Sequence, residues 1–312
     1  MKLSLLPDLH IGERQPENRV DNFVETMWRK LKFIFDIAKE HEVDAILQPG
    51  DCTHTPFMQW DFFIKVVDFI NSFNILMFTV FGNHDLRYRT KGNTALDAIV
   101  EACPKFTILD NEHTVEILKG IEIYGVSYGE EIPKPKGSFD ILLIHKMIIA
   151  EKKLWKGQDD ITWSKSFLRK HDFELIISGD NHSTFEANYD DRWLFNNGAL
   201  LRDSITLKDL RPSVVVFDTV KKTYKRIYVP IEPANKVFNM EKIKEEEERD
   251  EKIGAVVEGL AEYKGLGLDF KKNLINYAKK NSSEDVVDLL KRGFEKEVDE
   301  YTATGSTRGY KP

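Results

Sequence analysis

Five short apolar runs in this chain each break off into a polar cluster of the same chemical kind. Lys2–Leu6 gives way to Asp8-Leu9-His10, Asp44–Gln48 to Gly50-Asp51, and Ile75–Phe81 to Gly82-Asn83-His84-Asp85. Ile141–Ile144 runs into His145, and Leu175–Ile177 into Gly179-Asp180-Asn181-His182. Short apolar runs closed by turn residues read as buried strands. Between the first three lie helical patterns. From Asp21 to about His41, Phe23, Met27, Leu31, Ile34 and Ala38 recur at helical steps, with Arg29, Lys30, Lys32 and Lys39 between them, and Asp61–Phe73 follows the same rule. Strand, helix, strand, helix, strand predicts parallel pairing with helical crossovers. The later chain is richer in strands, at Thr114–Leu118, Ile121–Val126, Trp193–Phe195, Val214–Phe217 and Thr223–Val229, with helices near Thr94–Ala102 and Ser164–Lys170. The expected fold is α/β, a mixed pair of sheets flanked by helices.

Ligands collect at the carboxyl ends of strands in such sheets. The five strand ends would bring Asp8, His10, Asp51, Asn83, His145, Asp180 and His182 to one edge. Oxygen and imidazole donors without thiolate suit Mn²⁺, Fe²⁺, Mg²⁺ or Zn²⁺, not a structural zinc knot. Singly, each cluster has an ordinary reading. Asp-x-His is common in loops, Gly50-Asp51 and Gly82-Asn83 could be turns, and a lone His145 could be a satisfied core histidine. The combination at five strand ends is what argues for a site.

Composition narrows the classes. With 41% hydrophobic and 31% charged residues in 312, the chain reads as a soluble globule with room for an appendage. No apolar run approaches the roughly 20 residues of a membrane span, so no membrane partner is expected. Only Cys52 and Cys103 are present, which fits a reducing cytoplasm better than a disulfide framework. A net charge of −7 argues against a sequence-blind nucleic-acid coat. It leaves room for an enzyme that grips phosphates through bound cations. After Pro233 the composition shifts to a charge-dense stretch with Glu245 to Glu248 in a row, then helical patterns at Leu274–Lys280 and Glu284–Val298. This predicts a core over 1–232, a mainly helical region over 233–301 and a flexible tail over 302–312.

The order Asp-x-His, Gly-Asp, Gly-Asn-His-Asp, His and Gly-x-x-His resembles the calcineurin-like metallophosphoesterase superfamily over about residues 1–230. His54, three residues past Asp51, resembles the Gly-Asp-x-x-His of its SbcD/MRE-eleven DNA-repair nuclease branch. So do the stretch His10–Gln15, the long first helix, Val43–Leu47, and Asn197-Gly198-Ala199 with Arg202. The length is similar to that of compact bacteriophage versions. The resemblance implies a two-sheet metallophosphoesterase sandwich with a C-terminal helical appendage. It implies a two-metal DNA exonuclease or endonuclease of recombination and repair. Asp8, His10, Asp51 and His182 would hold one ion, and Asp51, Asn83, His145 and Asp180 the other, with Mn²⁺ ahead of Mg²⁺. His84 would protonate the leaving oxygen or stabilise the transition state, and His54 would position the phosphate. Asp85 would orient His84 or cap the following turn.

One position departs from the pattern. Asp180 stands where the superfamily's Gly-His-x-His has its first histidine, which makes the second site harder or weakens it. Arg14, Arg87, Arg89 and Arg202 lie near motif loops and would meet DNA phosphates, although a solvated loop explains Arg87-Tyr88-Arg89 equally well. The implied partners are DNA, an SbcC-type coiled-coil ABC ATPase attached at the appendage, and a second copy of the chain; Val286, Leu289, Leu290 and Phe294 line a helix face that suits such docking and equally suits packing on its own domain. The implied location is cytoplasmic, in the host if the chain is phage-encoded. The alternative enzyme reading is a phosphodiesterase or phosphatase of small molecules or phosphoproteins. A third reading is a degenerate fold acting as a scaffold.

Overall fold

Alternate residues of the central strands face two different cores, and this builds the molecule in layers. The computed structural model describes residues 1–244, except 119, 138, 155–157, 160 and 243, together with 274, 275, 278, 279, 287, 288, 290 and 291. The chain divides into two compact units, Met1–Phe238 and Asn239–Pro312. The division falls later than the composition shift at Pro233. Val237 and Phe238 are buried, and the Val20 amide donates to the Val237 carbonyl at 2.9 Å. The glutamate row, the tail, Val286, Leu289 and Phe294 lie outside the described residues. Leu290 is described and buried, as are the helical positions Leu274, Ala278 and Val287.

The first unit opens as the periodicity dictates: β1 (Lys2–Leu5), α1 (Phe23–Glu40), β2 (Ala45–Gln48), α2 (Trp60–Phe73), β3 (Leu76–Thr79) and α3 (Ala95–Ala102). Asn22 caps α1 by accepting from the Glu25 amide, and Thr94 with Asp97 forms a capping box on α3. Then follow β4 (Phe106–Ile108), β5 (Val115–Leu118), β6 (Ile121–Val126), β7 (Phe139–His145), α4 (Ser164–Lys170) and β8 (Leu175–Gly179). The unit closes with β9 (Phe185–Tyr189), β10 (Arg192–Asn196), β11 (Ser213–Asp218), β12 (Thr223–Tyr228) and the short α5 (Ala234–Val237). Two six-stranded sheets result, ordered β12-β11-β1-β2-β3-β4 and β5-β6-β7-β8-β10-β9. β1 to β4 pair in parallel, as do β6 to β8, and antiparallel strands finish the edges.

Leu3, Leu5, Ala45, Leu47 and Phe78 point inward to meet Ile123, Ile141, Leu143, Leu175 and Phe195 of the second sheet. The opposite face of the first sheet, with Ile46, Met77 and Val216, packs on Met27, Leu31 and Ile34 of α1 and on Val66 of α2. Leu142, Ile144, Ile176 and Leu194 cover the far side of the second sheet with Phe167 and Leu168 of α4. This is a helix–sheet–sheet–helix sandwich. Among the described residues, no helix is long and apolar enough to cross a membrane.

Arg19, Lys30 and Arg202 are buried together near the inner face of α1. Arg19 pairs with Asp21 at 2.6 Å and donates to the Arg202 carbonyl. Lys30 donates to the Leu200 carbonyl at 2.9 Å. Arg202 donates to the carbonyls of Lys208 and Glu232 at 2.8 and 2.6 Å. Burial, followed by the neighbouring Arg202 and Arg19 charges, lowers the Lys30 pKa to about 7.

Candidate metal centre

The carboxyl ends of β1, β2, β3, β7 and β8 lead into one cluster of acids and imidazoles. Two backbone devices bring it together. Gly82 has no side chain because a Cβ there would stand 2.0 Å from Asp51 Oδ1. Gly50 adopts φ 95°, and a Cβ there would stand 2.5 Å from His145 Nδ1. Three of the expected ligands, His10, Asp51 and Asp180, themselves sit in the left-handed region at φ 47°, 50° and 75°. Such backbone is costly for residues with a Cβ, and it concentrates at functional sites.

One group of donors comprises Asp8, His10 and His182, and another comprises Asp8, Asp51 and His145, with candidate ligand atoms within 4.8 Å of one another in each. His10 Nε2 and His182 Nε2 are 3.1 Å apart. His145 Nδ1 donates to the Pro49 carbonyl at 2.8 Å, which fixes the ring with Nε2 facing inward, where its lone pair would serve a cation once the Nε2 proton has left. There it lies 3.1 Å from Asn83 Oδ1 and 3.4 Å from Asp51 Oδ2. Asp51 Oδ2 is also 3.7 Å from His10 Nε2, so one carboxylate reaches both groups. Asp180 donates its amide to Asp8 Oδ2 at 2.9 Å. Its carboxylate acts electrostatically on His145 but belongs to neither three-residue group.

The electrostatics of the bare cluster favour a cation. Burial and then the neighbouring Asp51 and Asp180 charges hold the Asp8 carboxyl well above its ordinary pKa, against the opposing pull of His145. Burial, the largest influence, raises Asp51, but the His145 charge and hydrogen bond together with the His10 and His84 charges outweigh it, and the net shift is downward. Burial lowers His145, but the Asp51 charge and hydrogen bond together with the Asp8 and Asp180 charges raise it, to about 10. Burial depresses His10 and His182. Asp8 Oδ1 and His10 Nδ1 are buried without a hydrogen-bond partner. Lone pairs that converge, and a buried carboxylate oxygen with no donor, fit divalent cations in an O/N site.

His54 and His84 stand beside this cluster. With His10 they form a third close group. His84 donates its amide to Asp51 Oδ1 at 2.9 Å and its Nδ1 proton to the His54 carbonyl at 2.8 Å, so the neutral tautomer leaves Nε2 free. The His84 ring lies 4.7 Å from the His10 ring and 5.4 Å from the His54 ring.

Asp85 does not hold His84. It accepts from the Thr53 amide and hydroxyl at 2.7 and 2.8 Å and from the Gly82 amide at 2.9 Å, so it locks two ligand loops together. Burial, then the Asp51 charge, raises its pKa to about 6. Arg14, Arg87 and Arg89 are exposed. Arg202 is not at the rim, because its guanidinium is buried and serves carbonyls.

Sequence reasoning missed a layer of supporting amides. Gln48 bonds both ways with Gly50, Asn181 donates to the Ile148 carbonyl at 2.7 Å, and Asn196 donates to the carbonyls of Asn181 and Ser183. Asn197 donates to the Leu5 carbonyl at 2.8 Å, and the Asp8 amide donates to the Gly198 carbonyl at 2.9 Å. The available signal was Asn196-Asn197 directly after an apolar strand.

Residues 1–184 match the family model described as calcineurin-like phosphoesterase. The zinc-complexed Vps29 of Entamoeba histolytica is a similar solved structure at 13% identity and a TM-score of 0.32, covering 73% of this chain and 98% of that one. No curated protein matches the sequence.

Proposed function

This chain belongs to the calcineurin-like phosphoesterase family, a family of metal-dependent phosphoester hydrolases, and on that premise we propose that it is a DNA nuclease of the SbcD/MRE-eleven type. The observation that carries the proposal is the link between His54 and His84 at the edge of the metal cluster. The histidine three residues past Asp51 fixes, through its own carbonyl, the ring that would serve the leaving oxygen.

Asp8, His10, Asp51 and His182 would hold one ion, and Asp51, Asn83, His145 and Asp180 the other, with Mn²⁺ the first choice. Bound there, the ions would neutralise the phosphodiester and make hydroxide available near neutral pH. The residues of the chain do the positioning. Asp51 is oriented by the His84 amide, and the His145 ring is held in place by the Pro49 carbonyl. The His54 carbonyl fixes the His84 ring through Nδ1, and His84 Nε2 would hand a proton to the departing oxygen. His54 is half-buried beside this ring and would meet a phosphate oxygen of the substrate.

The test compares a linear DNA with bis(p-nitrophenyl) phosphate, both with Mn²⁺. The expected result is cleavage of both, with DNA cleavage falling about 10²–10⁴-fold in His84→Ala, the range for loss of a general acid. Turnover of the nitrophenyl diester without any DNA cleavage overturns the nuclease reading in favour of a small-molecule phosphoesterase. The same resemblance supports a homodimer and an SbcC-type ATPase partner. Light scattering and co-purification with a co-expressed ATPase head test these.

A further inference from the structure

The two segments that deliver His54 and His84 each continue into an exposed aromatic residue. Phe57 follows His54 by three positions and is 60% exposed, and Tyr88 follows His84 by four and is 87% exposed. A single guanidinium joins them: Arg87 Cζ lies 5.0 Å from the Phe57 ring centroid and 5.4 Å from that of Tyr88. Both segments are held in place from behind. Leu86 is buried, the Thr90 amide donates to the Arg87 carbonyl at 2.9 Å, and the Ala95 amide donates to the Pro56 carbonyl at 2.8 Å. Tyr88 and Arg89 adopt φ 52° and 60°, a conformation disfavoured for residues with a Cβ. The fold therefore tolerates backbone strain in the loop that leaves a large ring in water. Arg87 makes no ion pair among the described residues, and Arg89 beside it is exposed.

We propose that Phe57, Arg87 and Tyr88 form a clamp at the rim of the metal centre that stacks an unpaired nucleobase next to the phosphate being cleaved. The inference rests on the nuclease reading and adds its determinant of strand preference. Aromatic faces stack on any base, and the two arginines supply charge for the phosphates on either side. A closed duplex offers no free base face. The clamp therefore favours single-stranded or frayed polynucleotide, with little dependence on sequence.

The experiment measures kcat and KM on labelled oligo-dT and on a blunt duplex of the same length, with bis(p-nitrophenyl) phosphate as a control for the metal centre. The proteins are the full chain, Tyr88→Ala, Phe57→Ala and Tyr88→Phe. The expected result is a KM for oligo-dT raised about tenfold in each alanine variant, in the range for loss of one stacked base. The kcat and the diester turnover stay unchanged, and Tyr88→Phe restores the KM. Oligo-dT cleavage with a KM within twofold of wild type in both alanine variants overturns the clamp while leaving the nuclease reading intact. A wild-type chain that turns over the diester but cleaves no DNA overturns the nuclease reading itself. A switch from dimer to monomer on light scattering in Tyr88→Ala, with the oligo-dT KM unchanged, assigns this face to a second copy of the chain and also overturns the clamp.

Discussion

At the strand ends, buried acids and imidazoles converge with atoms left unpartnered, whereas beside α1 most donor nitrogens of buried Arg19, Lys30 and Arg202 bond to carbonyl oxygens of the same unit. Both are knots of charge in one fold, and each would be costly without compensation. The cationic knot is completed from within. Asp21 and four backbone carbonyls take its donors, and Arg202 Nε alone lacks a partner. The anionic knot leaves Asp8 Oδ1 and His10 Nδ1 bare and crowds three carboxylates into mutual electrostatic reach. A buried cluster that its own chain satisfies is structural, and one that the chain leaves open is completed from outside.

The sharpest break in that comparison is Asp8→Asn, which keeps an oxygen for the Asp180 amide. Phosphodiester turnover should fall by about 10³-fold or more, roughly 4 kcal/mol of barrier. Unfolding of the chelated protein should show no loss of stability at pH 7. The sign follows from the raised Asp8 pKa. Ionising Asp8 above the ordinary value costs the folded state, so stability falls as pH climbs toward the folded value, and the amide removes that cost. A chelated variant markedly less stable than wild type would mean that the cluster holds the fold together without a cation.

Arg202→Met should show the reverse pattern. It strips donors from the Lys208 and Glu232 carbonyls and should cost about 2–3 kcal/mol in urea unfolding, alike with Mn²⁺ or chelator. KM for DNA should stay within twofold, whereas a rise would restore Arg202 as a phosphate contact. Mn²⁺ at a hundred times its Kd should stabilise the wild-type chain by about 2.7 kcal/mol, and Asp8→Asn far less, in thermal melts. The smallest effect per step of the variable is that of pH. The folded Lys30 pKa of about 7 lies below its ordinary 10.5, so within that window the unfolded chain holds a proton the folded one has released, and stability rises with pH. The limit is about 1.4 kcal/mol per pH unit, and Lys30→Met should flatten the rise in denaturation measured across that window.

The open knot is the part that can be read from the sequence. Asp8, His10, Asp51, Asn83, His145 and His182 stand directly after apolar strands, and strand ends are where a parallel sheet must deliver them. The central strands and α1 to α4 follow from periodicity for the same reason. What escapes lies in tertiary partners. β4 and β9 are short edge strands, and Phe185–Tyr189 places polar residues where it faces solvent, so neither carries a buried run. Asp85 next to His84 suggests a local pair, but the amides of Cys52 and Thr53, distant in sequence, and of Gly82 in its own loop reach it first. Arg202 follows a motif-like Asn-Gly-Ala, yet burial beside α1 turns its guanidinium away from the rim. The order of charges along a chain does not say which ones its own carbonyls will claim.

β1 lies between β2 and β11, and the Asp8 amide and carbonyl are held by Gly198 and Leu200. The first ligand to leave the ribosome therefore waits for almost the last part of the unit before it has a seat. A nascent chain stalled midway through the unit carries Asp8, His10, Asp51 and Asn83, four of the seven candidate metal ligands, but not the framework that aims them. Hydrolytic competence thus arrives late in synthesis, together with the strands that close the sheet.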